Sequence, residues 1–270
     1  MSKKIIALDL DGTLLNKESQ LTPRTIKTIK AVQGKGHKVI IATGRPYRMS
    51  KSIYQQLQLD TPMINFNGSL THLPEKKWRG EQNIRLDKKY LLEFLHKKEE
   101  FQADFIAGEY KNNFYITQDY LENFQPALMG VETISKANLM QADRIQSDPN
   151  SILMQTRIPE KYELAEAIRQ HFKHEIEVNT WGGPLNILET CAKGVSKATA
   201  LSYLLDQFGA TPQDLIAFGD EHNDVEMLQL AEVGYAMKNA SPTLLPHADK
   251  TTELSNQEEG VAYELEKLFL

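Results

Sequence analysis

Cysteine is nearly absent from this chain. Cys191 stands alone among 270 residues, so no intramolecular disulfide can form. That scarcity suits a reducing compartment, and a cytoplasmic location is expected. Long hydrophobic runs are also lacking. No stretch approaches the roughly 18 apolar residues of a membrane span. After the basic start Met1 to Lys4, only Ile5 to Leu8 are apolar before Asp9, too few for a signal peptide. A large excess of one sign of charge is lacking as well: 31 Lys and Arg against 36 Asp and Glu leave a formal net charge of -5. This mild acidity gives neither nucleic acid nor an anionic membrane a field to follow, so neither is expected as a partner. There is no internal repeat, no low-complexity segment and no G-x-x-x-x-G-K-[ST] pattern, which argues against P-loop nucleotide chemistry.

What is present is a globular composition, with 41% hydrophobic and 25% charged residues. The length fits one large or two ordinary domains and supports a real core without staples. The first stretch alternates short apolar strands with helical patterns. "KKIIALDL" does not alternate polar and apolar, as expected of a strand buried on both faces. "TPRTIKTIKAVQGKG" offers Thr22 as N-cap, Pro23 at the first helical position and glycines at its end. "HKVIIATG", "RPYRMSKSIYQQLQL" and "PMINFNG" continue a βαβαβ pattern, which predicts a parallel sheet with right-handed crossovers. The last stretch resumes it with "SKATALSYLLDQFG", "LIAFGD", "HNDVEMLQLA", "VGYAM" and "GVAYELEKLFL". Between them, amphipathic strands pair around turns in "ADFIAGEYKNNFYIT" and "EIEVNTWGGPLNILET", with "KYELAEAIRQHF" as a helix. The expected fold is α/β, a doubly wound, Rossmann-like parallel-sheet core (1–80 plus 190–270) carrying an inserted α+β cap (81–189).

Polar residues gather where the apolar strands end. "LDLDGTLL" puts Asp9 and Asp11 after the first strand with no serine, cysteine or histidine beside them. The carboxyl edge of an open α/β sheet is where ligands bind. Equal strand parity would let both acids face one crevice while Leu10 packs away, and Gly12 would let the backbone approach an anion. Two close carboxylates need a cation or a shared proton, and hard oxygen ligands suit Mg²⁺. "ATGR" puts Thr43, Gly44 and Arg45 at a second strand end, next to a helix start that favours anions. "LIAFGDEHND" puts Asp220, Glu221 and Asp224, with Asn223, at a third. "KGVSKATAL" offers Lys193 or Lys197, of which Lys197 opens a helix that must pack on the sheet. A carboxylate nucleophile, a second carboxylate, a hydroxyl, a lysine and distal acids form the toolkit of phosphoryl transfer.

These four segments, in order, resemble the motifs of the haloacid dehalogenase superfamily of phosphatases, and within it the Cof-like subgroup of sugar-phosphate phosphatases. The resemblance spans essentially the whole chain. It implies that Asp9 attacks phosphorus and that Asp11 protonates the leaving alkoxide and then takes a proton from water. Mg²⁺ would be held by Asp9, the backbone carbonyl of Asp11 and Asp220, with Asp224 behind them steering a metal-bound water or Lys197. Leu10, Gly12, Thr43, Gly44, Arg45, Lys197 and Asn223 are the implied phosphate or substrate contacts. The insert between the second and third motifs resembles a type II cap of the B form. Glu221 stands where the subgroup usually has a small residue or an amide, and Ala198 replaces a common glycine.

The implied substrate is a small phosphorylated metabolite, and the chain is expected to act as a monomer or weak homodimer. The same toolkit admits other outcomes: a phosphotransferase or phosphomutase, or a phosphatase of flavin mononucleotide or pyridoxal phosphate. A non-catalytic metabolite binder is disfavoured because Asp9, Asp11 and Lys197 are all present. Asn67, at a further strand end, reads either as a substrate or hinge contact or as an ordinary turn residue. Cys191 reads as a buried small residue, Trp181 as core packing, and the His171/His174 spacing as a solvated helix end.

Overall fold

The computed structural model describes residues 3–118, 124–141, 145–183 and 185–270. In chain order its strands and helices are β1 (Ile5–Leu8), α1 (Pro23–Gly34), β2 (Lys38–Ile41), α2 (Tyr47–Leu57), β3 (Met63–Asn65), β4 (Leu70–His72), β5 (Gln82–Asn83), α3 (Lys88–His96), β6 (Ala103–Glu109) and β7 (Phe114–Ile116). Next come β8 (Ser151–Thr156), α4 (Lys161–His171), β9 (Ile176–Thr180), β10 (Ile187–Ala192), α5 (Lys197–Phe208), β11 (Leu215–Gly219), α6 (Val225–Leu230), β12 (Val233–Ala236), β13 (Lys250–Thr251) and α7 (Gly260–Phe269). Two compact units result: Met1–Arg45 with Met49–Gln82 and Ser196–Leu270, and Asn83–Val195 with Pro46–Arg48.

The first unit is built on a parallel five-stranded sheet in the order β13-β12-β11-β1-β2. The inner strands β12, β11 and β1 are short and largely apolar, as expected where helices cover both faces, whereas the edge strand β13 is polar and exposed. Ile5 pairs with Leu215 on one side and with Lys38 on the other, so β1 sits between β11 and β2. Ala200, Leu201, Leu204 and Leu205 of α5 pack on this sheet with Ala7, Ile40 and Ala217. The α1 N-terminus forms as its sequence dictates, with Thr22 Oγ1 accepting from the Thr25 N–H at 3.1 Å and Pro23 starting the helix.

One departure from the expected parallel run is β3. It touches β2's end through a single parallel bridge, Ala42 to Ile64, and otherwise pairs antiparallel with β4. Phe66 and Asn67 both adopt left-handed backbone (φ 50° and 53°), turning the chain straight back instead of onward.

The second unit is a largely antiparallel five-stranded sheet in the order β7-β6-β8-β10-β9. Tyr90, Leu91 and Phe94 of α3 and Ala165 and Ile168 of α4 pack on one face, against Ile106, Ile152, Met154, Val178 and Leu188. The alternation of these strands decides which side meets the helices. The other face carries a smaller cluster of Phe105, Ala107, Phe114, Ile116, Met129 and Leu153, with Trp181 packed against it. The buried Lys161 ammonium donates to the carbonyls of Trp181, Gly183 and Leu185 at 2.8, 3.0 and 3.1 Å, pinning the β9–β10 connection.

Candidate active site

The carboxyl ends of β1 and β11 lie side by side in the first unit. Asp9 follows β1 directly, and its N–H donates to the Phe218 carbonyl at 3.1 Å, so the strand register carries the side chain to the sheet edge. The strand itself ends at Leu8, and residues 10–14 form a tight turn closed by the Leu15 N–H to the Leu10 carbonyl at 2.9 Å. Leu10 is fully buried in that turn. The expected alternation therefore does not carry through to Asp11, whose backbone (φ -77°, ψ 123°) is followed by Gly12 at φ 75°. The Asp9 side chain is 8% exposed and that of Asp11 55%.

Lys197, at the first position of α5, places its ammonium between two carboxylates. Its Nζ donates to Asp9 Oδ1 at 2.6 Å and to Asp224 Oδ1 at 2.7 Å, with all three side chains buried. Ser196 caps α5, accepting from the Thr199 N–H at 3.2 Å, which fixes where Lys197 departs. Burial alone would lower the lysine's pKa, but Asp224 and Asp9 hold it above its ordinary value. Lys193, by contrast, is exposed and lies in the second unit.

Asp9, Asp220 and Asp224 each offer a carboxylate oxygen within 4.8 Å of the others. Asp224 is the least available of the three. Besides serving Lys197, its Oδ2 accepts from the N–H groups of Asp220 and Glu221 at 3.0 and 3.2 Å. Burial raises Asp9 well above the usual carboxylate range, with the Asp224 and Asp220 charges adding to it despite Lys197. Burial, then the charge of Asp224, pushes Asp220 up to about 7. One lysine therefore faces three acids, and the shortfall of positive charge falls on Asp9 and Asp220. An all-oxygen donor set with that shortfall fits a hard divalent cation. Gly12 is required here: a Cβ would collide with the Asp220 carboxylate, and its positive φ already disfavours any other residue. Gly219 likewise leaves room only for the close approach of Asp224.

The remaining expected site residues divide. Thr43 is buried after β2, and its Oγ1 accepts from the Arg45 N–H at 3.1 Å. Gly44 approaches Asn67 so closely that a Cβ would sit 3.1 Å from Asn67 Nδ2. Asn67 Oδ1 accepts from Asn223 Nδ2 at 3.0 Å, so the turn after β3 braces the loop after β11. The Arg45 guanidinium is bonded to both oxygens of Asp11, with Nε to Oδ2 at 2.6 Å and Nη2 to Oδ1. Glu221 turns to its own loop, accepting from the His222 N–H at 2.9 Å, and Ala198 sits within α5.

Outside this edge, Cys191 is buried and burial pushes its thiol up. His171, at the end of α4, meets Glu93 through Nε2 at 3.1 Å. Neither His171 nor His174 joins a cluster of candidate metal ligands among the described residues.

Two contributors are missed by reading the sequence alone. Thr13 Oγ1 donates to Asp220 Oδ1 at 2.9 Å, and Asn239 Nδ2 donates to the Gly12 carbonyl at 2.8 Å. Thr13 lies in the octet "LDLDGTLL", where its hydroxyl is a usable signal. Asn239 comes after β12 and carries no local signal.

The chain belongs to the haloacid dehalogenase-like hydrolase family, which it matches over residues 6–265. It is thus an enzyme of that hydrolase class. It is 32% identical over 269 residues to the 5-amino-6-(5-phospho-D-ribitylamino)uracil phosphatase YitU of Bacillus subtilis, covering 98% of this chain and 97% of the relative. A second B. subtilis protein, the 5-amino-6-(5-phospho-D-ribitylamino)uracil phosphatase YcsE, is 29% identical, with 96% and 93% covered. The fold matches the crystal structure of a haloacid dehalogenase-like hydrolase from Bacteroides thetaiotaomicron with TM-score 0.85 at 25% identity, covering 99% of this chain and 100% of the other. No helix among the described residues is long and apolar enough to cross a membrane.

Proposed function

We propose that this hydrolase removes phosphate from small phosphomonoesters with the help of a divalent cation, magnesium by the character of its oxygen ligands. The observation that carries the reading is the buried Asp9 carboxylate, bonded to Lys197 at 2.6 Å and grouped with Asp220 and Asp224. Asp9 attacks phosphorus in line, forming the aspartyl phosphate as the ester bond breaks. Asp11 gives its proton to the departing alkoxide, then accepts one from the water that attacks phosphorus, releasing phosphate and restoring Asp9. Lys197, the Thr43 hydroxyl and the Gly44 N–H hold the phosphoryl oxygens. Asp9, the Asp11 carbonyl and Asp220 would hold the cation, which when bound neutralises charge on the phosphoryl oxygens. Asp224 fixes Lys197, and Asn223 acts through its bond to Asn67.

The substrate in this reading is a phosphorylated sugar or sugar alcohol. Support comes from two relatives whose named substrate carries phosphate on a ribityl chain. The lone, buried Cys191 supports a reducing, cytoplasmic setting.

The test is a phosphate-release screen with Mg²⁺ over sugar phosphates, 5-amino-6-(5-phospho-D-ribitylamino)uracil, nucleotides, flavin mononucleotide and pyridoxal phosphate. The highest kcat/KM is expected on a sugar or ribityl phosphate, without an acceptor sugar. Preference for pyridoxal phosphate, or dependence on an acceptor, contradicts the reading. Asp9→Asn should abolish release on every substrate with circular dichroism unchanged.

A further inference from the structure

We infer that Arg45 is a positioning residue for Asp11, fixing the side chain whose protonated form serves the leaving group, and is not a contact for the substrate's phosphate. The inference rests on the reading of Asp11 as the proton donor. Asp11 needs such a hold. Its side chain is over half exposed, and it stands outside the cluster formed by Asp9, Asp220 and Asp224. A carboxylate at that exposure, on a turn next to Gly12, has several rotamers open to it.

The guanidinium removes that freedom. Nε and Nη2 each take one oxygen of Asp11, the two-pronged geometry that arginine offers and lysine does not. Nη2 also donates to Ser19 Oγ at 3.2 Å, and Nη1 to the Met49 carbonyl at 3.4 Å. Every guanidinium nitrogen thus already has an acceptor. Arg45 is fixed at its backbone as well. Its N–H donates to Thr43 Oγ1, and its carbonyl accepts from Asn65 Nδ2 at 2.8 Å. Asn65 is braced in turn: Nδ2 donates to Ser50 Oγ at 3.0 Å, and Oδ1 faces His72 Nε2 at 2.9 Å. Because the Asn65 amide nitrogen is spent on acceptors, His72 Nε2 must be the donor in its bond. An arginine tied down from so many sides is built to hold Asp11 still.

Leaving-group dependence tests this role. Nitrophenolate departs without a proton, whereas an alkoxide needs one, so only alkyl phosphates report on Asp11's placement. The quantity to compare is kcat/KM, which contains the ester-cleaving step even where hydrolysis of the aspartyl phosphate limits kcat. Arg45→Met should lose ~10–100-fold more on an alkyl phosphate such as glycerol 1-phosphate than on p-nitrophenyl phosphate. Arg45→Lys should recover part of that selective loss, and Arg45→Met should add little to Asp11→Asn in the double variant. Equal losses on both substrates would overturn the inference, returning Arg45 to a phosphate-binding or purely structural role. A gain on the alkyl phosphate would overturn it too, since Arg45 would then restrain Asp11 from acting. Asp11→Asn tells the two levels apart. If it loses equally on both substrates, the proton-donor reading itself fails. If it is selective and Arg45→Met is not, only the positioning inference fails.

Discussion

Lys197 Nζ stands 2.6 Å from Asp9 Oδ1 with both side chains buried, although 188 positions separate them in the chain. The pair explains how a carboxylate at the end of an apolar strand stays in place. It also predicts the effect of removing the ammonium. Lys197→Met keeps the side chain's length but leaves Asp9 and Asp224 facing each other without their shared donor. Removing one partner of a buried pair costs about 3–5 kcal/mol. Thermal unfolding should show a large drop in Tm, and the fraction that remains folded should release phosphate far more slowly than the parent.

Gly12 predicts a separate effect. Gly12→Ala forces a Cβ against the Asp220 carboxylate at a backbone φ of 75°. The strain should cost about 1–3 kcal/mol. Because the colliding group is Asp220, Mg²⁺ affinity should fall along with Tm. A titration followed by calorimetry separates this from a purely local turn defect, which would lower Tm alone.

Thr13 gives a milder version of the same test. Thr13→Val removes the hydroxyl that donates to Asp220 Oδ1 at 2.9 Å while keeping the side chain's shape. Groups that orient a metal ligand contribute roughly 10–100-fold in affinity or activity. Mg²⁺ titration should show weaker binding in that range with the melting curve little changed.

Asp220 sets a pH dependence. Its carboxyl is pushed from 3.8 up to about 7 in the folded protein, by burial first and Asp224 second. The folded state therefore binds this proton more tightly than the unfolded chain does. Stability from that source is present below 3.8, is lost as pH rises toward 7 and is level above it. The metal-free protein should lose Tm from about pH 5 to pH 7.5, and Asp220→Asn should flatten that slope. Mg²⁺ should raise Tm more at the upper end, because a cation and a proton compete for the same oxygens. A larger Mg²⁺ effect at pH 5 would contradict this linkage.

Much of this is legible in the sequence, and the physical reasons differ by element. β1, β2 and β11 stand out as unbroken apolar runs because strands covered on both faces have no polar side to show. Asp9, Asp220 and Asp224 are legible because acids at or just past the ends of buried apolar strands stand out as charge in need of compensation. The choice of Lys197 over Lys193 comes from its place at the start of α5, which packing holds fixed. Tertiary direction is not legible. Strand parity does not relate Asp9 to Asp11, because the strand stops at Leu8 and residues 10–14 form a turn, and the bond of Asp11 to Arg45 has no local signal. The left-handed residues Phe66 and Asn67 bend β3 back into a hairpin; the "NG" of "PMINFNG" signals a turn, but not that the returning strand pairs with β3. The bracing of Asn67 by Asn223 joins two loops far apart in sequence, so only the folded sheet edge brings them together.

The central claim is that the Asp9 carboxylate bonds to phosphorus. The measurement that meets it directly is rapid acid quench of the enzyme during turnover with Mg²⁺, followed by peptide mass spectrometry. One phosphoryl group is predicted on the peptide that contains Asp9, localised to that residue, and absent from Asp9→Asn. Phosphorylation at any other residue, or full turnover by Asp9→Asn, would contradict the claim.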